Sequence, residues 1–393
     1  MLSDLERTLE TARQDRTLLD ESCRLTDRLA DSLVADGFTR HFVPERWGGC
    51  AGTFTALLDA VSVLAETCAS TAWCAALYAA HGRLASYLPE AGQQELWGSS
   101  PDVCVAASVV PPQGNAEHTA DGWRLTGKWT MASGVDQADW VLLAAWAPVV
   151  EAAERADSGP GGGAGGSGAD GPAREHRIFA VRRSDVKVLD TWHPVGLRGT
   201  GSNTVGADVL VPEHLTFTLR DLGRVQTHAA RCHTVPFPLV ASLIFAAPVL
   251  GAAEGALRTW WSQQSERIRP DGSTAAQQPA QQQVLARTSA HIQAARLLME
   301  RAARRADHAP VTPVLVAENQ RDVAVAVELC GTAADELFQA AGVRALDEGD
   351  PLQRAWRDIT VARTHGTLNF NTAAASYAGA TLAARALSTG AQR

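Results

Sequence analysis

The sequence predicts an α+β fold in three consecutive parts. These are an N-terminal helical domain over residues 1–100, a central antiparallel β domain over 101–222 and a C-terminal four-helix bundle over 223–393. Three observations predict it. Apolar residues recur every three or four positions in the first part, which is a helical period. The middle part carries short β-branched and aromatic runs, with no helical pattern between them, which excludes a doubly wound α/β unit. The last part returns to long amphipathic stretches with short connections, as in an up-down bundle.

In the first part, the run from Thr53 to Leu88 has a continuous helical period, with Thr53 or Thr55 placed to cap it and Gly48, Gly49 and Gly52 forming the loop before it. Pro89 starts a further short helix that Gly98 ends. In the second part, Trp123, Leu125, Trp129 and Met131 alternate with Arg124, Thr126, Lys128 and Thr130, the period of a half-buried strand, and this places Trp129 and Met131 on one face. Residues 158–172 hold eight of the 33 glycines, so the segment about 156–174 is expected to be a disordered surface loop. In the third part, helical patterns run over 239–268, 279–307, 313–341 and 351–386, punctuated by Pro270, Pro310, Pro313 and the stretch from Gly342 to Pro351. The charge-free stretch 235–253 has the apolarity of a membrane span, but Pro236, Pro238 and Pro248 interrupt it, which predicts a buried helix.

Composition narrows the function classes. The 393 residues are 46% hydrophobic and 20% charged, enough to bury a large core, and the net charge of −8 gives no electrostatic footprint for nucleic acid. The seven cysteines lack paired spacing and read as reduced, buried residues of a cytoplasmic protein. The opening run MLSDLERTLE is charged from its start and predicts no secretory signal. Dinucleotide-binding, phosphate-loop, nucleophile-elbow and zinc-protease motifs are absent, and the 11 histidines have no metal-ligand spacing, so no metal is expected. Eleven tryptophans against three tyrosines leave room for an aromatic-lined cavity.

Several motifs, in order, resemble the acyl-CoA dehydrogenase fold. Arg357-Asp358 precedes His365-Gly366-Thr367 much as an Arg-Asp pair precedes Glu-Gly-Thr in that family, one residue shorter here. The helix with Gln282, Leu285-Ala286, Ile292 and Ala294-Ala295-Arg296-Leu297, and the segment Ala340-Ala341-Gly342, look like its flavin-contacting segments. The swap of Glu for His365 is characteristic of the fold's oxygenase branch, the two-component (group D) flavin-dependent monooxygenases. VPERWGG at 43–49, ASTAW at 69–73, the segment 108–140 and GLRGTGSNTV at 196–205 resemble that branch as well. The resemblance covers roughly residues 38–370, the glycine insert excepted.

The resemblance implies an acyl-CoA dehydrogenase-like flavoprotein, a monooxygenase that takes FMNH2 or FADH2 from a separate NAD(P)H-flavin reductase, uses O2 through a flavin C4a-hydroperoxide, and hydroxylates an aromatic or polyketide-type small molecule. Alternatives are an amino-sugar or amine N-oxygenase of the same fold, and an acyl-CoA dehydrogenase-type enzyme with Asp358 or Glu348 as base. It implies catalytic roles for His365, to deprotonate or orient the substrate, and for Ser133, to hold the flavin. Trp129, Met131, Ser133, Gly134, Gln282, Ala341, Gly342 and Thr367 would contact the cofactor, and Trp73 and His81 the substrate. A cytoplasmic homotetramer with no membrane or nucleic-acid partner is expected. Taken alone, the same residues have plainer readings: His365 a histidine at a helix end, Ser133 a turn residue, Trp73 and His81 core residues, Arg198 a turn-stabilising cation, Arg267 and Arg269 solvated surface.

Overall fold

The computed structural model describes residues 2, 5–149, 173–223 and 229–390. The glycine-rich insert 158–172 lies outside the described residues; Arg174, at the predicted loop's end, already opens a strand. Six helices come first: α1 (Glu6–Gln14), α2 (Arg16–Ser22), α3 (Asp27–Ala35), α4 (Phe54–Ala65), α5 (Ala69–Ala85) and α6 (Glu90–Trp97). Strands follow: β1 (Val105–Ser108), β2 (Gly114–Thr119), β3 (Gly122–Ala132), β4 (Trp140–Pro148), β5 (Arg174–Arg182), β6 (Lys187–Leu189), β7 (Asn203–Val211) and β8 (Thr216–Thr218). The chain then returns to helix with α7 (Arg231–Thr234), α8 (Phe237–Glu266), α9 (Pro279–His308), α10 (Pro313–Ala341), α11 (Pro351–Ala362) and α12 (Phe370–Gly390).

The sheet runs β6-β7-β3-β2-β4-β5-β8, with β1 added on β4. It is mixed rather than antiparallel, because β1 and β2 both pair with β4 in parallel. Those pairings join strands far apart in sequence, and alternation within one strand carries no sign of its neighbour's direction. The fourth long helical pattern, expected over 351–386, is two helices. α11 stops at Ala362, and a one-turn 3-10 helix, Gly366–Leu368, intervenes before α12. Leu368, 3% exposed, pins that turn into the core.

Over 239–253, α8 is apolar on all sides because other elements surround it. Among the described residues it is the one helix long and apolar enough to cross a membrane, and 89% of its most apolar window is buried inside the protein. It lies close on α4: a Cβ at Gly251 would meet the Ser62 carbonyl oxygen at 2.0 Å, and one at Gly255 the Glu66 carbonyl oxygen at 2.5 Å. Glycine at both places lets the two backbones touch.

The N-terminus of α4 is completed from the bundle. Thr53 accepts from the Ala56 N–H. Asp307, at the end of α9 and 7% exposed, accepts from the N–H groups of Phe54 (2.8 Å) and Thr55 (3.0 Å) and from the Thr55 hydroxyl (2.7 Å). These otherwise unpartnered helix donors meet a carboxylate where the helix dipole favours one. Asp307→Ala is expected to cost about 3 kcal/mol in urea unfolding, since it leaves buried donors unmade. A cost below about 1 kcal/mol contradicts this.

Candidate active site

Three elements converge at the end of β3. Pairing with β7 runs Trp129 opposite Val205 and then Ala132 opposite Asn203, so β3 holds one extra residue there. Such a bulge re-aims the side chains that follow it. Met131 takes the left-handed conformation (φ +60°) and is 68% exposed, while Trp129 is fully buried in the sheet, its indole N–H donating to the Ala144 carbonyl at 2.7 Å. The two residues therefore do not share a face, and Trp129, expected along the cofactor ring, is a core residue.

After the bulge, Ser133 is buried and its Oγ meets two partners: the Trp73 Nε1–H of α5 at 3.2 Å and Ser202 Oγ at 2.7 Å. Ser202 Oγ lies 2.7 Å from Thr200 Oγ1, which donates to the Leu197 carbonyl at 2.9 Å. Gly134 is held from both sides: its N–H donates to the Thr200 carbonyl at 2.7 Å, and its own carbonyl accepts from the Tyr78 hydroxyl at 2.8 Å. The loop carrying Thr200 and Ser202 is anchored by the buried Asp358, which accepts from the Leu197 N–H at 2.6 Å. Burial pushes the Asp358 carboxyl up to about 6. Arg198 donates to the carbonyls of Asp20 and Pro194, the turn-stabilising reading.

The helical bundle supplies the opposite wall. Phe245 of α8 lies 5.3 Å from Trp73, ring centre to ring centre, and His365 stacks on Phe245 at 3.8 Å. His365 also meets Trp73 edge-on at 6.0 Å. His365 sits in the break between α11 and α12, where its Nδ1 accepts from the Thr367 N–H at 3.3 Å. That contact assigns the neutral ring's proton to Nε2, which is the better placed to donate. Burial lowers the His365 imidazole from 6.5 to about 4, so it is uncharged at neutral pH.

Of the expected site residues, the structure brings Trp73, Ser133, Gly134, His365 and Thr367 together. His81 lies two turns beyond Trp73, roughly 12 Å along α5, and its Nδ1 donates to the Val105 carbonyl at 2.9 Å, docking β1. Gln282 is exposed in the first turn of α9, while Ala341 packs with Trp260, Leu337 and Leu352. Trp260 lies roughly 22 Å along α8 from Phe245, so Gln282, Ala341 and Gly342 do not join the cluster within one chain. Glu348 is exposed, and Asp358 is committed to the Leu197 backbone, so neither is a free base at the cluster. Sequence reasoning missed Phe245 and Tyr78, and held Thr200 and Ser202 only within the motif at 196–205, without a role of their own. The hydroxyl-rich run Thr200–Thr204 was the available sign for the latter two.

The buried histidines make stability depend on pH. His81 and His365 both fall to about 4 in the folded protein from 6.5, and burial also lowers His41 and His233. The unfolded chain takes up these protons below 6.5, and the folded chain resists them until about 4. The stabilisation is thus complete above the unfolded value and is lost as pH falls through the folded one. Melting temperature is expected to drop across that window, the raised Asp358 carboxyl offsetting only part of the loss from four histidines; a flat profile contradicts the burial of neutral rings.

A helical domain, a mixed sheet and a helical bundle, with an aromatic and hydroxyl cluster where sheet meets bundle, define an acyl-CoA dehydrogenase-like flavoprotein. The family described as acyl-CoA dehydrogenase, C-terminal domain, matches residues 243–370. The chain is 31% identical over 376 residues to the oxygenase component of FADH(2)-dependent resorcinol hydroxylase from Rhizobium sp. (strain MTP-10005), covering 90% of this chain and 86% of that one. It is 29% identical over 379 residues to the oxygenase subunit HsaA of a flavin-dependent monooxygenase from Rhodococcus jostii (strain RHA1), covering 92% of each. The solved structure of XiaF from Streptomyces sp., in complex with FADH2 and glycerol, superposes with a TM-score of 0.84 at 26% identity, covering 97% of this chain and 94% of that one. The chain belongs to the oxygenase components of the flavin-dependent monooxygenases.

Proposed function

We propose that the protein hydroxylates an electron-rich aromatic small molecule, using O2 and a reduced flavin delivered by a separate NAD(P)H-flavin reductase. The observation that carries this reading is the uncharged wall of Trp73, Phe245 and His365 facing the hydroxyl cluster at Ser133. The resorcinol hydroxylase supports it, because the substrate in its name is a phenol. The residues fit a flat, neutral flavin ring: Ser133 offers a neutral hydrogen-bonding oxygen, Gly134 fixes the turn that presents it, and no ionised side chain takes part in their contacts.

When bound, reduced flavin activates O2, one oxygen atom entering the substrate and the other leaving as water. The chain's residues do the rest. Trp73 and Phe245 exclude water from the reacting face. Ser133 holds the central edge of the flavin ring, with Met131 exposed beside it. His365, with its proton on Nε2, orients the substrate oxygen by donation. A ring lowered to about 4 is a poor base for a phenol near 10, so the orienting role is the one we assign. Gln282, Ala341 and Gly342 would reach a flavin only on a neighbouring copy, which fits a homotetramer with shared sites; Leu382 and Leu387 of α12 stand 67% and 77% exposed. FMN and FAD both suit these residues, and a cytoplasmic location suits the reduced cysteines.

Purified protein mixed with a flavin reductase, NADH and a panel of phenols, quinones and amino sugars tests the reading. Phenol hydroxylation that requires the reductase is expected. Reduction of tightly held oxidised flavin by an acyl-CoA, with no oxygenated product, would overturn it.

A further inference from the structure

We infer that Thr200 and Ser202 are positioning residues that commit the Ser133 proton inward, so that Ser133 faces the flavin only as an acceptor and the site selects reduced over oxidised flavin. The inference rests on the reading that Ser133 faces the nitrogen at the centre of the flavin ring.

The number of protons in the cluster sets their order. Three oxygen–oxygen contacts run in a row: Leu197 carbonyl to Thr200 Oγ1 at 2.9 Å, Thr200 Oγ1 to Ser202 Oγ at 2.7 Å, and Ser202 Oγ to Ser133 Oγ at 2.7 Å. Three hydroxyls supply three protons, and each contact needs one. The carbonyl brings none, so the Thr200 proton goes to Leu197, the Ser202 proton to Thr200 and the Ser133 proton to Ser202. In the reverse order the Leu197 and Thr200 oxygens would face each other at 2.9 Å with no proton between them. The Trp73 N–H then takes one lone pair of Ser133, and a single lone pair remains.

The anchor of this row is itself fixed. The Leu197 carbonyl also accepts the Trp192 indole N–H at 3.0 Å, and the Leu197 N–H is held by Asp358. Thr200 is fully buried, Ser202 is 5% exposed and Ser133 7%, so bulk water has little access with which to reverse the order. Reduced flavin carries an N–H at the central nitrogen and can donate to the remaining lone pair. Oxidised flavin carries only a lone pair there, and two acceptors would face each other.

Anaerobic titrations of FMN and FAD, oxidised and dithionite-reduced, test this in Ser202→Ala, Thr200→Val, Ser202→Thr and Ser133→Ala. Removing either relay hydroxyl frees the Ser133 proton, so S202A and T200V are expected to bind oxidised flavin about five- to tenfold more tightly than wild type, a gain that structural damage does not produce. S202T keeps the hydroxyl and is expected to keep the wild-type preference. S133A is expected to weaken reduced-flavin binding, and adding S202A to it is expected to change nothing further. If S133A weakens binding but S202A and T200V leave the oxidised-to-reduced ratio unchanged, the relay is overturned and the flavin reading stands. If S133A changes neither affinity, Ser133 does not face the flavin, and the underlying reading fails with the inference.

Discussion

Replacing His365 with alanine is expected to lower hydroxylation at least about 100-fold while reduced-flavin affinity stays within about threefold of wild type. The separation of the two effects follows from the geometry. His365 stacks on Phe245 of the bundle at 3.8 Å, whereas the hydroxyl cluster lies across the wall on the sheet side. Its ring is neutral across the working pH range because burial lowers it to about 4. Activity should therefore show no acid limb at 6.5, the ordinary imidazole value. His365→Gln separates orientation from base catalysis: a glutamine amide can place an N–H near the Nε2 position but cannot take up a proton. Partial recovery in H365Q supports orientation. Wild-type product yield in H365A, at any pH, contradicts a role for this residue.

Gly134→Ala is expected to destabilise the protein by about 2–4 kcal/mol and to abolish reduced-flavin binding. Gly134 sits at φ +70°, a conformation that alone costs alanine roughly 1 kcal/mol or more. The added Cβ would also fall 2.7 Å from the Tyr78 hydroxyl oxygen and 2.9 Å from its ring carbon Cζ. Tyr78 is fully buried and donates to the Gly134 carbonyl, so it has nowhere to yield. Either the turn opens, carrying Ser133 off Ser202, or the helix α5 shifts, carrying Trp73 with it. Tyr78→Phe in the same chain removes the nearest atom but leaves the ring carbon, so recovery of stability should be partial. Urea unfolding checks the first effect and anaerobic flavin titration the second; an unchanged midpoint would contradict the packing described.

Most of the fold was legible because its punctuation is chemical. Thr53 caps a helix, Pro89 starts one, and Pro279, Pro313 and Pro351 each open a bundle helix at the first turn, where a missing N–H costs nothing. The break at His365 was half legible: Gly366 after it allowed the reading of a helix end, while the apolar pattern over 351–386 runs on across it. The bulge at Met131 was hidden for a different reason. A positive φ at a non-glycine residue is imposed by tertiary packing, and nothing in the alternation of β3 announces it. That one extra residue separates Trp129 from Met131 and brings Ser133 to Trp73. The identities of Ser133, Trp73 and His365 could be read from motifs, but their meeting with Phe245 and Ser202 spans five separate segments and needed the fold.

Isotope labelling shows whether an oxygen atom from O2 enters an aromatic substrate at this site. Turnover with a flavin reductase, NADH and a phenolic substrate under ¹⁸O2 in ordinary water is expected to give a new hydroxyl carrying ¹⁸O. A product whose new oxygen comes from water, or a desaturated product with no new oxygen, would rule out oxygen transfer at this site.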